Sequence, residues 1–336
     1  MIKSYLLGID IGTSACKVAV FDRNGKVLAA ASGDYPVYYP HEGWAEQNPE
    51  EWWDAVCRAT KETIQKADIT ADEIAGIGID GQSWSAIPID REGNVLANTP
   101  IWMDTRAQSI CDRLNQEIGQ EEIFEVAGNS LQPSYSTAKI LWYKENLPEV
   151  YAKIYKILQS NSYIAFKLTG AVTQDVSQGY GLHCFNMKKG CWDEKMCKRL
   201  GIPMEFLPEI CDCDYVVGTV TGKAAAECGL VEGTPVVAGG LDAACGTLGA
   251  GVIHSGETQE QGGQAGGMSI CTEEYKADPR LILSYHVVPG KWLLQGGTTG
   301  GGGVMRWFER EFADYERMMK EQTGASSLDQ LNKIAE

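Results

Sequence analysis

The sequence predicts an α/β protein, and three observations lead there. Apolar stretches of strand length recur from one end of the chain to the other. A long helix with one apolar face follows the first three of them. Two later strands of buried type run straight into an aspartate. Residues 5–11 are apolar and end in Asp10-Ile11-Gly12-Thr13-Ser14; residues 16–22 alternate as a half-buried strand does. Arg23-Asn24-Gly25-Lys26 carries the Asn-Gly signal of a hairpin turn, and residues 27–31 supply a third strand. Three successive antiparallel strands do not open a dinucleotide-binding unit, which needs strand, glycine turn and helix.

Asn48-Pro49-Glu50-Glu51 starts the helix, with Asn48 as cap, Pro49 in the first position and acids in the first turn. Trp52, Trp53, Val56, Ala59, Thr63 and Ile64 give it one apolar face. Residues 74–79 read as a buried strand ending in Asp80-Gly81-Gln82. Residues 86–90 read as a strand followed by a turn at 91–94. Pro100-Ile101-Trp102-Met103 leads into Asp104-Thr105-Arg106. Residues 107–126 and 137–168 read as helices. Residues 235–240 form a strand that delivers Asp242 to a helix at 243–251. Strands at 282–288 and 292–295 precede a glycine run, a helix opening at 300–308 and a helical tail. No repeat of fixed short period is present. The strand-acid-glycine order of IDIGTS returns in GGLDAACG, as two similar halves or as coincidence.

With 336 residues the chain suits two domains or one large one. Hydrophobic residues make up 44%, and 9 Trp, 14 Tyr and 7 Phe furnish a real core. The formal charge of −16 argues against nucleic-acid polymers, which need a cationic footprint, but not against a nucleotide held by backbone amides and a metal ion. No apolar run reaches the ~18 residues of a membrane span, and Asp10 interrupts any leader-like start. The expectation is a cytoplasmic protein without membrane partners. Eleven cysteines without a Cys-x-x-Cys, and four histidines without zinc spacing, read as reduced thiols rather than a metal or disulfide framework. Nineteen of the 38 glycines fall between Gly229 and Gly303, interleaved with apolar residues, as in tight turns between buried elements.

Four segments carry chemistry, each with a plainer reading beside it. Gly12, Thr13 and Ser14, with Asp10 and Lys17, present donors to a phosphate and a carboxylate to Mg²⁺; the plainer reading is an ordinary hairpin. Asp242, at a strand's end and a helix's mouth, is placed to take a proton from an attacking hydroxyl, or merely to cap the helix. Asp80, Gln82, Ser83, Trp84 and Asp104 suit a sugar, with polar groups for hydroxyls and an indole for the C–H face; alternatively this is a solvated loop with packed Trp, and Asp104 and Arg106 form a surface pair of little worth. The glycine runs at 262–267 and 296–303 aim amides at a phosphate, or serve as turns.

The order of these segments resembles the FGGY carbohydrate kinases, over essentially the whole chain. IDIGTSACKVAVFD resembles that family's first phosphate hairpin. SYSTAKILWYKEN carries its recurrent Lys and Trp as Lys139 and Trp142, with Tyr143 replacing an aliphatic residue. GGLDAACGTLGAG resembles its catalytic-aspartate segment and GGTTGGGGVMRWF its glycine-rich entry to a helix of the second domain. The resemblance implies an actin-like, ribonuclease H-like ATPase lobe at residues 1–253 and the start of a second lobe at 254–336. It implies ATP and Mg²⁺ as cofactors and phosphorylation of a small sugar or polyol. Asp242 would be the base and, with Asp10, a metal partner. Gly12, Thr13, Ser14, Lys17, Gly262, Gly263, Gln264, Gly266, Gly300 and Gly301 would line the phosphates. Gln82, Ser83, Trp84, Asp104 and Asp242 would meet the sugar. The wording is most like the xylulokinase branch, which makes D-xylulose the first choice. Ser83-Trp84 stands where that branch has Met-His and glycerol kinases have Arg-Glu, so another ketose or a polyol stays open. Members of the family continue well beyond residue 336. The expectation is therefore a truncated chain or a natural fragment, with exposed core surface and weak or absent kinase activity by itself. A non-catalytic sugar-binding relative and an actin-like assembly module are the alternatives, and a homodimer is left open.

Overall fold

Alternation in the first 34 residues folds as a meander of β1 (Tyr5–Ile11), β2 (Ala15–Phe21) and β3 (Val27–Asp34). Leu7, Ile9 and Ile11 of β1 and Cys16, Val18 and Val20 of β2 are buried on one face. Each such aliphatic contributes about 1.5–3 kcal/mol relative to exposure. Against β2 and β3 lies α1 (Pro49–Ala67). The Asn48 side chain accepts from the Glu50 amide at 3.0 Å, Pro49 pre-sets the first turn, and Trp52, Trp53, Val56 and Ala59 turn inward. The computed structural model describes residues 4–262, 266–298 and 300–335; the expected phosphate-turn residues Gly263 and Gln264 lie outside the described residues.

β4 (Ile74–Gly81) joins the meander parallel to β1, its eight residues bounded by a 3-10 turn before and the Gln82 loop after. Later come α2 (Ser136–Asn146), α3 (Ser160–Thr169), β5 (Val216–Thr219), β6 (Pro235–Val237), β7 (Gly240–Leu241) and α4 (Asp242–Gly249). Among the described residues the main sheet has seven strands, in the order β5-β6-β4-β1-β2-β3, with β7 also paired to β4. β4 therefore sits centrally, with β1, β6 and β7 all parallel to it.

Three sequence expectations are corrected. The single helix expected over 137–168 is two, α2 and α3, separated by a short turn of helix from Pro148 and a strand at Lys156–Leu158. Proline cannot continue a helix through its interior, and the residue before it is pushed to extended backbone. Residues 107–126 form helices at Gln108–Leu114 and Gln120–Ala127 around a wide turn at Asn115–Gly119. The strand expected at 235–240 breaks into β6 and β7 at Gly239 (φ +71°), where a Cβ would overlap the Ile79 carbonyl of β4. Only glycine admits both that close approach and that dihedral.

A second, antiparallel sheet holds β8 (Thr258–Gly262), β9 (Gly266–Thr272), β10 (Ile282–Tyr285) and β11 (Trp292–Thr298), in the order β8-β9-β11-β10. It docks through two bonds between the Asn129 side chain and the Leu283 backbone (2.8 and 2.9 Å) and through Tyr285, whose hydroxyl donates to the Met187 carbonyl at 2.8 Å. Cys271, Leu283 and Leu293 are buried against Tyr135, Phe185 and Leu241 there. α5 (Gly302–Phe312) and α6 (Asp314–Thr323) bury none of their residues, and Trp307, Phe308, Phe312 and Tyr315 are exposed. Among the described residues no helix is long and apolar enough to cross a membrane.

Candidate active site

Strand register assembles the site. Asp10 of β1 faces Lys17 on β2 and Asp80 on β4; Asp80 in turn faces Gly240 of β7, two residues before Asp242. Three carboxylates thus converge at the C-terminal ends of parallel strands, where open α/β sheets form their crevices. They line a cleft of about 370 Å³ together with Gly12, Lys17, Ala243, Cys245, Gly246 and Gln261. The last of these comes from β8, so the second sheet supplies the opposite wall.

Like charges in a partly buried cleft cannot all ionise freely. Burial, with the nearby charges of Asp10 and Asp242, pushes the Asp80 carboxyl up to about 9, so it is protonated at neutral pH and shares a hydrogen bond with Asp10. Burial also pushes Asp242 up to about 7, against the opposing pull of the Ala243 amide. A carboxyl poised near neutrality suits a general base. The Lys17 ammonium is raised by its 2.9 Å bond to Asp10. That pair is solvent-facing, with side-chain exposures of 69% and 31%, and contributes at most ~1 kcal/mol to stability.

Asp242 opens α4, and its Oδ1 accepts from the Ala243 amide at 2.6 Å. A buried chain steadies the backbone that carries it. The Leu241 amide donates to Ser177 Oγ (2.8 Å), Ser177 Oγ donates to Asp175 Oδ1 (2.6 Å), and Asn161 Nδ2 bonds both Asp175 Oδ2 (2.9 Å) and the Ala238 carbonyl (3.1 Å).

Beyond β4 lies an aromatic wall. Trp84, held at φ +60°, stacks on Tyr135 (4.2 Å, 23° between planes) and meets Tyr180 edge-on at 5.8 Å. Left-handed backbone at a non-glycine residue costs about 1–3 kcal/mol. It is held here by the stacking and by the buried Lys139 side chain, whose pKa burial pulls down to about 7 and whose Nζ donates to the Trp84 carbonyl at 2.8 Å. Tyr180 donates to Ser83 Oγ at 3.1 Å and senses the charge of Asp242, so this wall adjoins the proposed base. Gln82 Oε1, Trp84 Nε1 and His183 Nε2 are buried without a hydrogen-bond partner among the described residues. Buried polar atoms are usually paired, so these are candidates for ligand hydroxyls or water.

Asp104 and the Nε2 end of Gln82 are occupied by the protein itself. Gln82 donates from Nε2 to Gln47 Oε1 at 2.8 Å. Asp104 is fully buried; it accepts from the Ala45 amide (2.7 Å) and from the backbone and side chain of Arg106 (2.9–3.0 Å), which fills the acceptor sites of a carboxylate. Arg106 also reaches Glu46 at 2.7 Å and packs over the ring of Trp44 (3.9 Å) and beside that of Trp142 (4.9 Å), two indoles that meet edge-on. The solvated Asp104–Arg106 pair read from the sequence is instead a buried, stacked one.

The hairpin's other residues are split. Gly12 lines the cleft and Ser14 is exposed, whereas Thr13 Oγ1 accepts from Trp102 Nε1 at 3.0 Å. Gly262 ends β8, Gly266 begins β9, and a Cβ on Gly266 would lie 3.5 Å from Gly301 Cα, so the two glycine runs adjoin. The Gly300 amide donates to Thr298 Oγ1 at 3.0 Å. Among the described residues no three His, Cys, Asp or Glu side chains are grouped closely enough to cage a metal. Sequence reasoning set Asp80 among the sugar contacts, whereas its register puts it beside Asp10. The signal was its position opposite β1, which only strand pairing reveals. Tyr135, Tyr180 and His183 had no signal, since each lies some fifty residues or more from Trp84 in sequence.

Residues 5–249 match the FGGY family of carbohydrate kinases, N-terminal domain, and the chain belongs to that family. Xylulose kinase of Bacillus subtilis (strain 168) is 32% identical over 314 residues, covering 93% of this chain and 63% of the relative. Gluconokinase of the same organism is 29% identical over 338 residues, covering 99% of this chain and 65% of the relative. The crystal structure of xylulose kinase from Rhodospirillum rubrum superposes with a TM-score of 0.88 at 28% identity, covering 98% of this chain and 66% of that one. The fold is thus the actin-like one of the FGGY sugar kinases. This chain spans less than two thirds of the length of these relatives.

Proposed function

We propose that the chain takes part in ATP-dependent phosphoryl transfer to a hydroxyl of a small neutral sugar, with D-xylulose as the first candidate. The observation that carries this reading is the convergence of Asp10, Asp80 and Asp242 in one cleft beside an aromatic wall. Asp242 accepts the proton of the attacking hydroxyl, and its carboxyl near neutrality is suited to that. Gly12, Thr13, Ser14 and Lys17 form one phosphate-facing turn; Gly262 and Gly266 with Gly300 and Gly301 line the phosphates from the other side. Lys17 exchanges Asp10 for phosphate oxygens when nucleotide enters. Ser83 and Trp84, with Tyr135 and Tyr180, face the sugar, while Asp104 holds the segment beneath them. The division between lobes falls near residue 253.

Mg²⁺ fits the donor set, since that ion is usually held by one or two carboxylates with water and phosphate completing its shell. Asp10 and Asp242 would hold it, and it would neutralise charge on the transferring phosphate. The protein's share is to position the hydroxyl against Asp242 and to keep water out.

Relatives named as xylulose kinases and as gluconokinases leave the substrate open. Gluconate is an anion, and the cleft is acidic, with Arg106 and Lys139 already engaged by protein groups. Like-charge juxtaposition therefore favours a neutral ketose. Thermal-shift titrations with D-xylulose, gluconate and glycerol, each with and without a non-hydrolysable ATP analogue and Mg²⁺, test this. D-xylulose is expected to raise Tm most. Stabilisation by gluconate alone would overturn the neutral-sugar reading. No response to any sugar, together with no ADP formed at high protein concentration, would favour a non-catalytic relative.

A further inference from the structure

All eleven cysteines are free, and apart from Cys245, which lines the cleft, none stands in the site above. Two of them meet. Cys57 on α1 and Cys228, the last residue of the helix Gly222–Cys228, have their Sγ atoms 2.7 Å apart. That is well inside van der Waals contact of two sulfurs, and a small closing movement reaches the disulfide bond length of about 2.05 Å. The two helices are already fastened here, because Trp53 Nε1 donates to Glu227 Oε2 at 2.7 Å and the Lys61 stem lies over Gly229. Cys228 is fully buried; Cys57 keeps an exposed edge of 8%. The bond to Cys57, and then burial, push the Cys228 thiol up, and either sulfur can be the donor in that contact.

We propose that Cys57 and Cys228 are a reversible modification site, closing to an intramolecular disulfide when the protein meets a hydroperoxide. Cys57 loses its proton, and its thiolate attacks one oxygen of the peroxide. The O–O bond breaks, giving a sulfenic acid and a hydroxide that takes up the released proton as water. Cys228 sulfur then attacks Cys57 Sγ; the S–O bond breaks, and the departing hydroxyl leaves as water with the Cys228 proton. Two thiols and one hydroperoxide yield one disulfide and two molecules of water, or one water and an alcohol from an alkyl hydroperoxide. The second buried pair, Cys184 and Cys197, is 0% and 1% exposed and offers the oxidant no such edge. The new bond would join residues 171 apart in sequence and so restrict the unfolded chain strongly.

The test is to treat the folded chain with hydrogen peroxide, block remaining thiols by alkylation, digest without reductant and map the peptides by mass spectrometry. A linked peptide pair holding Cys57 and Cys228 is expected, lost on dithiothreitol treatment and in Cys228→Ser, with a rise in Tm of a few degrees that reductant reverses. Exposed Cys191 reports that the oxidant has acted. Recovery of Cys57 and Cys228 as alkylated thiols from a sample in which Cys191 is oxidised would overturn the proposal. So would linkage of Cys57 to any other cysteine. If Cys228→Ser does not fold, the wild-type peptide map decides alone.

Discussion

Two groups of acidic side chains in this molecule live in opposite surroundings. Asp104 and Glu46 share the Arg106 guanidinium, which is covered by two indoles and only 3% exposed. Asp10, Asp80 and Asp242 face one another across neighbouring strands, with Lys17 as the cation lining their cleft. The first group is electrostatically satisfied and geometrically locked. The second is buried without enough opposite charge, and burial first, then the neighbouring carboxylates, holds Asp80 and Asp242 well above the usual carboxylate range. Residue type says little about role; the count of opposite charges within reach says much more.

The largest expected effect separates the two groups by readout. Asp242→Asn should lower whatever phosphoryl transfer a coupled ADP assay detects by ~10²–10⁴, while leaving the denaturation midpoint unchanged or raised. An undiminished rate would remove Asp242 from the chemistry. Arg106→Ala should do the reverse. It strands a buried Asp104 and is expected to cost about 3–5 kcal/mol in urea unfolding. A loss below 1 kcal/mol would mean that the buried pair is not locked.

Asp80→Asn sharpens the contrast through pH. Asp80 titrates at about 9 in the folded chain against an ordinary 3.8, so its contribution is fully present below pH 3.8 and is lost as pH rises through about 9. The amide cannot ionise, so the stability of the variant relative to the parent should grow steadily over that window. A difference that stays flat with pH would contradict the shared proton. The smallest change belongs to Lys17→Ala, expected to alter stability by under ~1 kcal/mol because its ion pair is exposed, yet to weaken nucleotide binding measured by calorimetry.

Local pattern reached the hairpin of β1 and β2 and the strand-to-helix step that carries Asp242, because both are written in consecutive residues. It misread residues 137–168 because the buried residues of α2, Lys139 included, and those of α3 read as one helical pattern across the exposed Lys144-Glu145-Asn146 end and Pro148 that divide them. Asp80's partnership with Asp10 depends on a parallel register between strands 70 residues apart. Asp104 looked solvated because the rings that cover its arginine come from positions 44 and 142. Long-range pairing is invisible to any short window of sequence.

The buried Gln47 side chain gives the cleft a mechanical property. Its Nε2 holds the Thr13 carbonyl at 2.8 Å, its Oε1 takes the Gln82 amide at 2.8 Å, and Trp102 braces Thr13 from the other side. Thr13 sits on the hairpin proposed to face phosphate, and Gln82 on the strand end that leads to the aromatic wall. One strut therefore spans both ends, and this side of the cleft behaves as a fixed anvil. The opposing wall is built separately, by β8, which reaches the carboxylates through Gln261.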